Sequence, residues 1–196
     1  MNLSELSPVP EAALPVAQLK DHLRLGTGFA DEAVQDGLLA GYLRAALAAI
    51  EGRTGKALIA REFLLELQCW RNEARQPLPV APVASVASVT MRSREGAGSL
   101  VDPGRYRLLR DAHRPQLEGA GLYLPGIPVG GRVEVVFTGG FGVWAEVPAD
   151  LVQAAMLLAA QFHEHRHEPA PKGLPLSVAQ LIERWRQVRV LGGGAA

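Results

Sequence analysis

Residues 132–169 read RVEVVFTGGFGVWAEVPADLVQAAMLLAAQFHEHRHEP. This one run contains a strand, a glycine turn and a long apolar helix. Val133, Val135 and Phe137 alternate with Arg132, Glu134 and Val136, which suits a strand with one strongly apolar face. Gly139, Gly140 and Gly142 stop it. Pro148 fits the first position of a helix, where its missing N–H costs nothing. Asp150 falls in the first turn, where a negative charge meets the positive end of the helix dipole. From Leu151 to Phe162 only Gln153 and Gln161 are strongly polar. A helix apolar nearly all round must be covered on more than one side, so it belongs at the centre of a bundle or in a subunit contact.

The rest of the chain supplies the cover. With 196 residues and 48% of them hydrophobic, it can bury a real core. Residues before Leu14 have no period and read as an extended arm awaiting something to order against. Pro15 opens a short helix, VAQLKDHLRL, which Gly26-Thr27-Gly28 ends. A second helix starts near Asp31, its expected N-cap, and runs to Gly52 or Gly55. Val34, Leu38, Tyr42, Ala45 and Ala49 keep helical spacing there, Leu39, Leu43, Leu47 and Ile50 widen the stripe, and Gly41 with the alanines admits a close neighbouring helix. The middle of the chain is β. Phe63, Leu65, Leu67 and Cys69 alternate with polar residues. A strand is expected near Ser85–Arg92, a hairpin tip at Arg94–Ser99, and further strands at Tyr106–Leu108 and Leu122–Leu124. Gln76–Pro82 reads as an extended proline-rich connector. After the break at Pro169, Pro171 and Gly173, a last helix spans Leu176–Val190, followed by a glycine tail. The fold class is therefore α+β. A helical bundle comes from both chain ends (residues 1–56 with 146–196), and a small antiparallel sheet or sandwich (57–145) is inserted between them.

Composition excludes several functions. The formal net charge is zero, so no global field draws the chain to nucleic acid or an anionic membrane. Cys69 is the single cysteine, which rules out an intrachain disulfide and a cysteine-based zinc site, and fits a reducing cytoplasm. No signal peptide and no apolar run of transmembrane length is evident.

The chemistry on offer is sparse. His163-Glu164-His165-Arg166-His167 matches H-E-x-x-H, in which His163 and His167 would ligate zinc and Glu164 would polarise a bound water. Its context is poor. Polar residues separate the histidines, Pro169 ends the helix at once, and nothing favours Glu183, His22 or His113 as a third ligand. A solvated helix end explains the cluster. Arg53-Thr54-Gly55-Lys56 lacks the glycine-rich lead and Lys-Ser/Thr pair of a phosphate loop, and fits a helix stop. Ser85, Ser88 and Ser99 lack a nucleophile elbow. Asp102, Asp111 and His113 sit among turn residues. Trp70, Trp144 and Trp185 suit core or interface anchors. Charge is more informative. Arg92, Arg94, Arg105, Arg107, Arg110 and Arg114 cluster in the β part, either as a solvated strand face or as a contact surface for an acidic partner or DNA phosphates.

Three pieces, Glu51-Gly52-Arg53-Thr54-Gly55, Phe137-Thr138-Gly139-Gly140-Phe141-Gly142 and Val147-Pro148-Ala149-Asp150-Leu151, carry a resemblance through their order and spacing. From Leu14 to Arg186 the chain resembles the head–tail connector (adaptor) family of tailed phages and phage-like gene transfer agents. The resemblance implies a structural protein rather than an enzyme, with no cofactor and no membrane. It implies a ring, commonly of twelve subunits, beneath the portal protein, extending the DNA channel and docking the next neck or stopper protein. DNA would pass without sequence specificity, and assembly would take place in the bacterial cytoplasm. On this expectation Trp185, Arg186, Arg189 and Leu191 engage the portal, while Arg92, Arg94, Arg105 and Arg107 face DNA or neighbouring subunits.

Overall fold

The computed structural model describes residues 1–25, 32–166 and 173–186. In chain order the elements are β1 (Asn2–Glu5), α1 (Val16–His22), α2 (Glu32–Thr54), β2 (Arg61–Leu67), β3 (Arg75–Pro77), β4 (Val83–Arg92), β5 (Gly98–Leu100), β6 (Tyr106–Leu109), β7 (Gln116–Gly119), β8 (Arg132–Gly139), α3 (Ala149–Glu164) and α4 (Leu176–Ile182). Two antiparallel sheets form the β part. One has the order β1-β2-β8-β4-β5 and the other β3-β7-β6. The period-2 pattern faces Phe63, Leu65, Leu67, Val133, Val135 and Phe137 inward, where they share a core with Leu78, Val80 and Leu117 from the second sheet side. Phe63 and Phe137 are register partners and stack with centroids 5.6 Å apart, the kind of cross-strand pair that fixes a sheet's register.

A second core holds the helices. α3 lies at its centre, touching α1, α2 and α4, and buries Leu151, Ala154, Ala155, Met156, Leu158, Ala159 and Ala160. Its all-round apolar sequence is thus explained within one chain. Each leucine buried there contributes about 1.5–3 kcal/mol relative to exposure. Pro148 stands just outside the helix, in an extended conformation (φ −53°, ψ 138°), and α3 begins at Ala149.

Several local expectations are corrected. The N-terminal arm has found its partner in its own chain, because β1 pairs along the edge of β2. Leu122–Leu124 is not a strand. β7 ends at Gly119, where a Cβ would stand 2.4 Å from the Tyr123 carbonyl oxygen. The chain folds back on itself there, burying Leu124 and leaving Leu122 and Tyr123 exposed. Sequence reading misses β1, β3 and β7 as strands, and β7 is too short and too polar to show a period. Cys69 lies past the end of β2 and is exposed. The proline-rich connector holds β3 at Arg75–Pro77. The final helix is α4 followed by a single tight turn at Glu183–Trp185, and residues from 187 onward lie outside the described residues, as do Asp31 and the Gly26–Gly28 stop.

The largest correction concerns α2. Its buried stripe is Leu39, Ala40, Leu43, Ala46, Leu47 and Ile50. The other apolar stripe, through Leu38 and Ala45, faces outward, with Leu38 49% exposed. Gly41 does not admit α3. Gly37, Gly41 and Gly52 are all exposed, and an added Cβ at any of them would meet nothing within 4 Å.

The two cores are tied by one buried cation. Arg61, at the start of β2, is bidentate to Glu51 near the end of α2, with Nη1 3.1 Å from Oε1 and Nη2 2.7 Å from Oε2. Nη2 also donates to Glu5 Oε1 at 2.6 Å and Nη1 to the Ile59 carbonyl at 3.2 Å. Burial disfavours the Arg61 charge, but the hydrogen bonds it donates to Glu51 and Glu5 outweigh that and hold the guanidinium firmly protonated. Glu51 Oε1 further accepts from the Leu58 N–H at 2.8 Å.

Two outcomes are expected. Glu51→Ala leaves a buried guanidinium and the Leu58 N–H short of their main acceptor, and should lower the unfolding free energy by about 3 kcal/mol or more in urea titrations. Glu5→Ala, at a half-exposed carboxylate, should cost about 1 kcal/mol or less in the same titration. Separately, Gly41→Ala should raise the thermal midpoint by roughly 2–4 °C, since it removes a helix-interior glycine without a clash.

Candidate functional site

The three motifs that carry the family resemblance converge where the helices meet the sheets, and each does structural work there. In Glu51–Gly55 the helix is brought to a stop. The Thr54 hydroxyl donates to the Ile50 carbonyl at 2.9 Å and accepts from the Lys56 N–H at 3.2 Å, and Gly55 takes φ +67°, the left-handed turn that ends helices. Lys56 is buried, and its ammonium donates to the Ala112 carbonyl. Burial pulls the Lys56 pKa down and the nearby Asp111 charge pulls it up, with burial the larger effect. A lysine turned inward onto a loop carbonyl is not poised for phosphate, so this segment is a helix stop.

In Phe137–Gly142 the chain leaves β8 by passing very close to the start of β2. Gly140 has φ +128°, and a Cβ on it would sit 2.5 Å from Ala60 Cα. The Gly140 N–H reaches the Pro82 carbonyl at 2.9 Å, and the Ala60 N–H reaches the Gly142 carbonyl at 2.8 Å. Only glycine satisfies both the angle and the approach. In Val147–Leu151, Asp150 lies in the first turn of α3. Its Oδ1 accepts from the Leu151 N–H at 3.0 Å, while Oδ2 accepts from Trp185 Nε1 at 2.8 Å and Arg184 Nε at 2.6 Å. Burial alone would raise the Asp150 pKa. The Trp185 and Arg184 hydrogen bonds, with the Leu151 N–H, outweigh it and hold the carboxyl below its usual range.

Trp185 is therefore an internal anchor. Besides Asp150 it meets Phe141 edge-on at 5.4 Å, stacks on His113 at 6.1 Å and has the Arg184 guanidinium 4.7 Å above its ring. Arg186 pairs with Glu183 at 2.9 Å on the surface. Arg189 and Leu191 lie outside the described residues. The other tryptophans are likewise half-buried and hydrogen-bonded within the chain, Trp70 to the Pro125 carbonyl and Trp144 to Gln18, each at 2.8 Å.

The arginines of the β part do not form one bare surface. Glu66 and Glu134 are cross-strand partners on the outer face of the larger sheet, and their like charges are offset by Arg132, which pairs with both, and by Arg92, which pairs with Glu134 at 2.9 Å. Arg107 and Arg75 flank Glu118 on the outer face of the smaller sheet, and Arg107, as the first cause, holds the Glu118 pKa down. Arg94 sits at the exposed tip of the β4–β5 hairpin beside Gly130, and Arg105 is exposed ahead of β6. The four residues thus point to different neighbours.

His163 packs edge-on against Tyr42 at 6.0 Å, with Nδ1 buried and without a hydrogen-bond partner among the described residues, while Glu164 and His165 are exposed. His167 lies outside the described residues. Among the described residues no group of three or more His, Cys, Asp or Glu is placed to hold a metal. Asp111 caps its own loop by accepting from the His113 and Arg114 N–H groups, each at 2.7 Å, which lowers its pKa. Among the described residues no helix is long and apolar enough to cross a membrane. Sequence reasoning misses the Glu51–Arg61–Glu5 triad and the buried Lys56. Their only linear signal is a charged residue beside an apolar run at each end of a turn.

No protein-family model matches the chain, and no curated protein matches it either. Solved particle structures do. A chain in the neck of the empty gene transfer agent particle, computed with C6 symmetry, is 55% identical over 98% of this chain and 99% of that one, with TM-score 0.90. A chain in the neck of the native particle, computed with C12 symmetry, is 50% identical over the same shares, with TM-score 0.86. A chain in the virion of the native gene transfer agent particle is 55% identical over the same shares, with TM-score 0.88. Near full-length identity of this order, together with the shared fold and the three junction motifs, is decisive: this chain belongs to the head–tail connector family of phage and gene transfer agent necks.

Proposed function

We propose that this chain is the repeating subunit of a ring in the neck of a phage-like particle. The ring sits beneath the portal protein, prolongs the channel through which DNA passes without sequence specificity, and docks the next neck protein. The observation that carries this reading is the near full-length likeness to neck chains of particles solved with C6 and C12 symmetry. Twelve copies is the corresponding ring size. The work is structural, needs no cofactor and begins in the bacterial cytoplasm, where particles assemble. A closed ring requires that each copy present two different, complementary surfaces, since a contact repeated head to tail must return to its start.

The C-terminal segment is the proposed portal contact, with a division of labour. Trp185 holds α4 to the start of α3 through Asp150, so it fixes the point from which the segment leaves. Arg189 and Leu191, further along, make the contact itself. Arg94 and Arg105, exposed on the β part, face neighbours or channel DNA.

Purified chain mixed with its cognate portal ring should load saturably and in a fixed ratio, read by native mass, with no change on adding a chelator. A chain that ignores portal at every concentration would reject the placement. A chain ended after Arg186 should keep its circular dichroism spectrum and thermal midpoint yet bind portal roughly tenfold or more weakly, about 1.4 kcal/mol. Ending it after Gln180 should lose both folding and binding, because Ile182 is buried and Trp185 is the anchor.

A further inference from the structure

α2 presents a problem of cover. A helix that is apolar nearly all round must be buried on more than one side, and α2 is such a helix from Gly37 to Ile50, where Arg44 alone is charged. Around its axis Leu39, Leu43, Leu47 and Ile50 occupy the buried half. The opposite half is Gly37, Leu38, Gly41, Ala45, Ala48 and Gly52, all exposed. At 1.5 Å per residue this face is roughly 24 Å long. The charged side chain at its edge, Arg44, is turned aside, with Nη1 donating to the Val9 carbonyl at 2.8 Å. The glycines are not required by the chain itself, since a Cβ on Gly37, Gly41 or Gly52 meets nothing within 4 Å. Each lowers helix stability for no intrachain gain.

The face continues into a groove. Tyr42 and Ala45 of α2, Leu158 and Phe162 of α3, and Leu174 and Pro175 ahead of α4 line a largely apolar hollow of about 360 Å³, to which Gln161, His165 and Arg166 also contribute. α4 packs on α3 beside α2, and the hollow is the gap left between them. Face and groove together make one largely apolar surface, smooth along α2 for another backbone to approach closely.

We propose that this surface is the acceptor side of the ring contact and that a second copy of this chain occupies it. The inference rests on the ring reading above. Necks solved with C6 and C12 symmetry, containing chains 55% and 50% identical to this one, argue for a copy of the same chain as the neighbour. The contact is head to tail, so the neighbour presents a different surface. Groove against groove would be twofold and would close as a dimer.

The test is photo-cross-linking in assembled particles. A photoreactive benzoylphenylalanine replaces Ala45 in the full chain, which is produced together with the other particle components; the same replacement at Glu95, on the β4–β5 hairpin, is the comparison. Particles are purified, irradiated and resolved by mass. The expected result is a chain-to-chain adduct from position 45, its partner peptide mapping away from α2. A peptide from α2 itself, an adduct to a different protein, an adduct within the same chain alone, or no adduct from particles that contain the chain would each overturn the inference. Particles that lack the chain altogether would instead remove the ring reading on which it rests. A second variant, Ala45→Arg, should leave the circular dichroism spectrum unchanged, because the position is exposed. It should cut incorporation into particles roughly tenfold or more, since the charge would be buried unpaired in the contact. Gln68→Arg, equally exposed on the β part, should be incorporated normally. Normal incorporation of Ala45→Arg would also overturn the inference.

Discussion

Arg61 is the side chain on which the rest of the architecture depends. It is nearly out of solvent, yet it spans the end of α2, the start of β2 and the N-terminal strand through Glu51 and Glu5. A buried cation tolerates few arrangements. It must have carboxylates at fixed distances, and here those carboxylates come from segments 10 and 56 residues away in sequence. The geometry that satisfies the charge is therefore also the geometry that sets the helices on the sheets. Such a pair is weak as net stabilisation and strong as a constraint, because any arrangement that separates its members strands a charge.

The surrounding junction follows the same logic with other contacts. Gly140 permits the chain to pass against Ala60, Lys56 closes the α2 stop onto the loop at Ala112, and Asp150 collects the indole of Trp185 at the foot of α3. The segments that carry the family resemblance thus lie at the junction of the helices and the sheets. The helices and the sheets are held at one angle there, and the most demanding residues lie where that angle is set.

The outer faces carry a different kind of information. On the sheets, arginines are matched to glutamates across strands, which leaves little uncompensated charge on the strands themselves. On α2 the opposite holds, with an apolar face that none of the described residues covers. On the proposed ring reading, both features suit a subunit with fixed neighbours: matched charge on the sheets, and one smooth face left for a second copy.

Much was legible in linear order. The strand, glycine turn and apolar helix of residues 132–164 could be read from periodicity alone, because period 2 and period 3.6 are set by backbone geometry whatever the surroundings. The α+β class followed, and the motif order carried the family. Which of two apolar stripes on α2 faces inward could not be read, since Leu38 with Ala45 and Leu39 with Leu43 are equally helical patterns, and only the position of α3 chooses between them. The same limit hid β7, the pairing of β1 with β2, and the inward turn of Lys56. Local sequence fixes how a segment curls and which of its faces are apolar. Burial, pairing and the partners of a charge are relations between distant segments, and they exist only once the chain has closed on itself.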